Sequence, residues 1–152
     1  MNRLSLDFAL LVLRLAGAGL AFAHGWGKLS RLLGGDSGFA NGLGKMGFPA
    51  PLFFAWAAAL AETLGGALVT LGLFTRVAAG LCAVTLLVAE FVRHHALDQL
   101  FVRLGLMEVP PERLTTWGNP ELALVYLAVF VAVALAGPGA LSVDAMRGGR
   151  RR

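Results

Sequence analysis

Four titratable residues occur as two pairs spaced by four residues, His24 with Lys28 and Glu90 with His94. Residues four apart share one face of a helix, so each pair would present two polar groups side by side. In an apolar setting such groups can hydrogen-bond a quinone or another small head group and exchange protons with it. Histidine and carboxylate side chains can also bind a metal ion, or form a purely structural hydrogen-bonded cluster. The spacing alone leaves these three alternatives open, and no metal ligand set is assigned.

Two further charges, Arg14 and Glu62, lie near the middle of long apolar segments. A charge at the centre of a membrane helix costs about 2.5–3.5 kcal/mol, so it needs a partner. At ~1.5 Å per residue, Arg14 lies roughly 14 Å from the start of its segment and Glu62 roughly 18 Å from the end of its own. Because the two segments run in opposite directions, these depths agree within about one turn. The sequence therefore predicts an intramembrane Arg14–Glu62 ion pair with a mainly structural role.

The segments that hold these charges have the composition of membrane-spanning helices. Of the 152 residues, 57% are hydrophobic and 14% are charged, against about 45–50% and about 25% in soluble domains. The apolar runs are continuous and do not alternate as barrel strands do, so they predict helices that cross the hydrocarbon with about 20 residues each. We expect an all-α integral membrane four-helix bundle with helices over residues 5–29, 51–74, 76–96 and 120–137.

Three smaller features should shape this bundle. Phe39, Leu43 and Met46 follow helical spacing and predict a short amphipathic surface helix between the first two spans, with an irregular loop as the alternative. Small residues predict close helix packing at Gly17, Gly25, Gly65 and Gly66. Polar residues near the cytoplasmic edge predict an interfacial cluster of Asp7, Thr75, Arg76 and Asp144.

Charge distribution predicts the orientation of the chain. The net charge is +4, and much of the excess lies in the basic tail 147–152. Basic residues beside a final span are typical of the cytoplasmic side, where they lie against anionic lipid. We expect one transmembrane domain over residues 1–146, a basic cytoplasmic tail over 147–152, and both termini in the cytoplasm.

The partners expected for such a membrane protein are the lipid bilayer and other membrane subunits, with a homo-oligomer as a further option and no nucleic acid.

Four stretches resemble one family in the order in which they occur along the chain. They are LRLAGAGLAFAHGWGKL (13–29), GFANGLGKMGFPAP (38–51), LAETLGGALVTLGLFTR (60–76) and GPGALSVD (137–144). Together they resemble the DoxX family of bacterial four-helix membrane proteins, and the 94–119 connection is the part that fits least. The positions that match the family's pattern are Arg14, His24, Gly25, Lys28, Glu62, Gly65, Gly66, Thr75 and Arg76.

The resemblance implies a location and an association with redox chemistry. The family takes its name from a subunit of a thiosulfate:quinone oxidoreductase, which implies a bacterial inner-membrane subunit or accessory component of a quinone-linked complex. His24, Lys28, Glu90 and His94 would then contact the quinone, which is the one candidate cofactor. The chain carries no self-contained catalytic motif, and Cys82 as a lone cysteine excludes an internal dithiol relay. The alternatives are a structural or assembly subunit without chemistry of its own and a small-solute transporter.

Overall fold

The structure is a computed structural model that describes residues 3–93 and 95–149. Within these ranges it contains helices and no strand, which confirms the predicted all-α class. Three helices are long and apolar enough to cross a membrane: α1 over Arg3–Leu33, α3 over Pro51–Leu71 and α4 over Thr75–Arg93. The shorter helices are α2 (Gly38–Lys45), α5 (Ala96–Arg103), α6 (Pro111–Thr116), α7 (Glu121–Ala136) and α8 (Val143–Gly149).

The helix predicted over residues 120–137 is present with nearly the same bounds. It is α7, an apolar helix of 16 residues, whose length of about 24 Å falls short of a full hydrocarbon thickness. Pro120 precedes it, and Gly137 ends it with a φ of 91°, a conformation that favours glycine. Although short, α7 packs along α4 and also contacts α1, so it completes a four-helix bundle.

The short helix predicted between the first two spans is present as α2, and it packs against the bundle. The Asp36 carboxylate accepts the Gly38 N–H at 2.7 Å, which satisfies one of the unpaired donors at the start of this helix. Ala40 is buried with Ala55 and Ala59 of α3, and Phe39 packs against the same cluster. One face of α2 is therefore held by α1 and α3 through apolar contacts.

The main apolar core lies between α4, α7 and the facing side of α1. Phe130 and Val133 of α7 are fully buried against the small residues Ala79 and Cys82 of α4. Small residues on one helix let the large side chains of the other approach closely, as is usual between membrane helices. The outward-facing surfaces of the helices are apolar as well; the Phe22 side chain, for example, is 78% exposed. Such a surface is suited to contact with lipid.

The register between α1 and α3 is fixed by glycines. A Cβ atom added at Gly25 would lie 2.6 Å from the backbone nitrogen of Thr63, and one added at Gly66 would lie 2.6 Å from the carbonyl oxygen of Gly17. Gly72, which follows α3, lies beside the guanidinium of Arg14. The first eleven residues of α1 therefore extend past the end of α3, by about 16 Å.

Candidate functional site

Each of the three long helices contains a π-helical turn, over Leu20–Gly25, Ala61–Gly65 and Ala89–Arg93. Each of these turns carries a titratable residue: His24, Glu62 and Glu90 in that order. The turns in α1 and α3 pack directly against each other, because Gly25 touches the backbone of Thr63. π-helical turns are rare and frequently occur at functional sites. The turns of α1 and α3 meet inside these helices, while the turn of α4 forms the end of that helix, and we take the contact between the first two as the candidate site.

Glu62 forms an ion pair with Lys28 at this level. The Lys28 ammonium donates to both carboxylate oxygens of Glu62, at 2.5 Å to Oε1 and 2.7 Å to Oε2. Glu62 is 3% exposed, so its charge is compensated mainly by this one lysine. The ammonium group also lies 5.3 Å from the centre of the Phe39 ring, a cation–π distance that links α2 to the pair.

The ion pair predicted between Arg14 and Glu62 is not formed. Arg14 is 1% exposed, and its Nη2 donates to the Leu141 carbonyl oxygen, while Nε and Nη1 have no hydrogen-bond partner among the described residues. The prediction assumed that the start of α1 and the end of α3 lie at the same depth in the membrane. Because α1 extends past the end of α3, Arg14 lies beside Gly72, which follows α3 and is ten residues beyond Glu62 in the sequence.

A cavity of about 230 Å³ opens next to the Lys28–Glu62 pair. On the α1 side the cavity is lined by Leu20, His24 and Lys28, which are spaced by four residues. His24 is exposed, so the cavity is open on that side, between α1 and the start of α7. The rest of its lining comes from the other helices and the segment before α7: Glu62, Leu86, Ala89, Asn119, Leu122, Ala123 and Tyr126.

Tyr126 is the polar group from α7 that the sequence analysis missed. Its ring stacks on Phe130 with centroids 6.2 Å apart, and the His24 ring meets it edge-on at 6.0 Å. Gly19 leaves room for the hydroxyl, since a Cβ atom there would lie 2.5 Å from it. The only tyrosine of an apolar helix was a signal available in the sequence, and it could have placed α7 against His24.

Glu90 is buried beside the cavity without lining it. It is 0% exposed, and neither carboxyl oxygen has a hydrogen-bond partner among the described residues. Its neighbours Leu86 and Ala89 on α4 do line the cavity. His94, predicted to share a face with Glu90, lies outside the described residues. Of the four residues predicted to contact a ligand, the structure brings His24 and Lys28 together at the cavity.

A second polar cluster surrounds the turn between α3 and α4. The Asp144 carboxylate accepts the N–H groups of Phe74 and Thr75, each at 2.9 Å, and the Thr75 hydroxyl at 2.7 Å. This residue from the distant α8 thus caps the start of α4, as a local Asp or Ser would. The bonds hold Phe74 at a φ of 48°, an uncommon conformation for a residue with a side chain.

The remaining two members of the predicted edge cluster bind backbone groups nearby. Arg76 donates to the carbonyl oxygens of Leu135 at 2.8 Å and Ala134 at 3.1 Å, at the end of α7. Asp7 accepts the Ala140 N–H at 2.7 Å. The first contact holds the end of α7 to the start of α4, and the second holds the segment after α7 to α1, so these polar groups have a structural role here.

Replacing Asp144 with asparagine should lower the free energy of unfolding by about 1–2 kcal/mol at neutral pH, as loss of a helix cap does. Partial burial raises the pKa of Asp144, but the donors of Thr75 and Phe74 and the charge of Arg147 lower it by more, so the folded-state pKa lies below the ordinary value. The stability that this carboxylate contributes is therefore present above about pH 4 and lost as the pH falls through the folded-state pKa. Denaturation midpoints measured against pH should fall more steeply in the acid range for the native chain than for Asp144→Asn. Equal slopes would contradict the capping role.

These features define an integral membrane protein in which an all-α bundle holds an ion pair next to a cavity with a few polar groups. The sequence model of the DoxX family matches residues 9–95, more than half of the chain, and the chain belongs to that family. It is similar to the inner membrane protein YphA of Escherichia coli (strain K12), with 29% identity over 135 residues that cover 89% of this chain and 87% of the relative. No solved structure matches the chain.

Proposed function

We propose that the protein binds the head group of a quinone in the cavity beside the Lys28–Glu62 pair and serves as a subunit or accessory component of a membrane redox complex. The observation that carries the proposal is a cavity inside an apolar bundle where His24, Lys28 and Tyr126 converge. A pocket with apolar walls and a few convergent polar groups is the usual form of a small-molecule site.

The lining fits the chemistry of a quinone ring. The two quinone carbonyl oxygens accept hydrogen bonds, and the Tyr126 hydroxyl, the Lys28 ammonium and the Asn119 amide are donors on the cavity wall. Leu20, Leu86 and other apolar residues supply surface for the flat ring. The volume is below the ~300–1,000 Å³ of pockets for drug-sized ligands, which favours a head group held in the cavity with its tail in lipid.

Electron transfer belongs to a partner protein in this proposal. The chain would position the quinone, and His24, on the open side of the cavity, would exchange protons with it. The relative's name, inner membrane protein, supports a location in the bacterial inner membrane. We also place both termini in the cytoplasm, because the basic residues of the 147–152 segment follow the fourth span in the sequence.

A structural or assembly subunit is the second candidate, and one observation favours it. Lys28 occupies both carboxylate oxygens of Glu62, so the pair is satisfied without any ligand. In that case the polar centre would only hold α1 against α3, and substitutions at the cavity would change stability without changing quinone binding.

Titration of the purified protein with a short-chain quinone separates the two candidates. We expect saturable binding, and we expect Tyr126→Phe to raise the Kd about fivefold to tenfold, because it removes one hydrogen bond worth about 1 kcal/mol and keeps the ring. His24→Gln should weaken binding too. The matched control is His95→Gln, which changes a histidine outside this cavity and should leave the Kd unchanged. A Kd shared by all four proteins, or no saturable binding, would contradict the proposal.

A further inference from the structure

A second cavity, of about 400 Å³, lies at the end of the bundle opposite the 72–74 turn. It forms where the end of α4 meets α5, α6 and the segment between them, with Met46 contributed from the end of α2. The quinone proposal does not use this cavity. It could not be predicted from the sequence, because most of its lining comes from the long connection after α4.

The cavity carries two arginines without acidic partners. Arg93 and Arg113 both line it, and both side chains are exposed. Among the described residues, neither arginine is within ion-pair distance of a carboxylate, and Arg93 makes only a long bond of 3.5 Å to the Thr116 carbonyl oxygen. Asp98 also lines the cavity, but it is engaged by the His95 ring nitrogen at 3.0 Å. Two guanidinium groups are thus available to an anion.

The rest of the lining is apolar or aromatic. Val92, Met107 and Val109 form apolar wall, and the Trp117 ring stacks on His95 with centroids 5.1 Å apart and an angle of 22° between the rings. A small inorganic anion needs no apolar surface of this kind. The combination of cationic groups and apolar wall fits an amphipathic ligand with an anionic head.

The position of the cavity favours a lipid as this ligand. α4 has 19 residues, or about 28 Å, so Arg93 lies nearly one hydrocarbon thickness away from Thr75. Tryptophan is enriched at that boundary, and Trp117 lines the cavity. We propose that this cavity binds the phosphate group of an anionic phospholipid, with Arg93 and Arg113 contacting the phosphate and the apolar wall contacting the start of the lipid tails.

Native mass spectrometry of the full chain in detergent micelles, with phosphatidylglycerol or phosphatidylcholine added, tests this proposal. We expect one phosphatidylglycerol to be retained in preference to phosphatidylcholine, and an Arg93→Gln/Arg113→Gln double variant to bind it about tenfold more weakly. Each single variant should show part of this loss. The matched control is Arg31→Gln/Arg103→Gln, which removes the same charge from exposed arginines outside the cavity and should retain the lipid.

Inorganic phosphate, added as a competitor, distinguishes a lipid head group from free phosphate. The proposal predicts that phosphate at equal concentration leaves the bound phosphatidylglycerol in place. Displacement by phosphate would show a site for the free anion and would overturn the lipid assignment. Equal retention by the double variant and its control, or equal retention of the two lipids, would overturn it as well.

Discussion

Replacing Glu62 with glutamine should destabilise the protein by about 1–3 kcal/mol, because it leaves the Lys28 ammonium, whose side chain is 32% exposed, without its counter-charge. Lys28 is bonded to both carboxylate oxygens of Glu62, and no other carboxylate among the described residues lies within ion-pair distance of it. The loss would appear as a lower midpoint in denaturation of the purified protein, followed by circular dichroism in a mild detergent.

A double-variant cycle identifies the partner of Glu62. Lys28→Met combined with Glu62→Gln should be more stable than Glu62→Gln alone, because removing both charges leaves no unpaired one. Arg14→Gln combined with Glu62→Gln should instead show the sum of the two single losses, since Arg14 binds the Leu141 carbonyl oxygen. Rescue by Arg14→Gln, with additive losses for the lysine variant, would contradict the structure.

Replacing Gly25 with alanine should cost about 1–3 kcal/mol or more, because the added methyl group has no space. Its Cβ atom would lie 2.6 Å from both the nitrogen and the hydroxyl oxygen of Thr63, and 2.9 Å from the Glu62 carbonyl carbon. Two of these atoms belong to backbone and cannot rotate away, so α1 would have to move off α3. That movement would also lengthen the Lys28–Glu62 contact, so both stability and quinone binding should fall.

Gly27 provides a matched control two residues further along the same helix. A Cβ atom there meets nothing within 4 Å, so Gly27→Ala should be neutral or stabilise α1 slightly through helix propensity. A melting temperature that drops equally for both alanine variants would point to a general effect of losing glycine. In that case the close contact between the π-helical turns would not be what holds α1 and α3 together.

The sequence predicted the elements of the fold well because apolar runs and proline are direct signals. Pro51 begins α3 where it was expected, since a missing backbone N–H costs little at a helix start. The short helix α2 followed from the spacing of Phe39 and Leu43. The bounds of α7 lie within one residue of the predicted ones, because Pro120 and Gly137 mark its two ends in the sequence.

The partner of Glu62 could not be predicted from depth alone. Arg14 and Lys28 are fourteen residues apart on α1, so a sliding of this helix by about 21 Å relative to α3 exchanges one for the other. That register depends on where the glycines meet and on how far α1 extends past the turn. Neither quantity is encoded in the spacing within a single helix. The π-helical turns were missed because these helices are apolar on most sides, so the one-residue change in phase that such a turn introduces leaves no visible break in the pattern.

The lining of the cavity also depends partly on spacing within one helix, which the sequence shows, and partly on packing between helices, which it does not. His24 and Lys28 could be placed on one face from their spacing, and both do line the cavity. Tyr126 and Asn119 reach it only because α7 packs against α1 and α4, which is a tertiary contact. Glu90 was predicted to contact the ligand, but it is buried and does not line the cavity, whereas Leu86 and Ala89 of the same helix do.

The most direct test of the central claim is to purify the protein from its native membranes in a mild detergent and extract the retained quinone. The account predicts quinone in near-stoichiometric amount with the native chain and a clear reduction with Tyr126→Phe, together with a co-purifying redox protein. Protein that is folded and free of quinone, with a quinone content that Tyr126→Phe does not change, would contradict the account and favour a structural subunit.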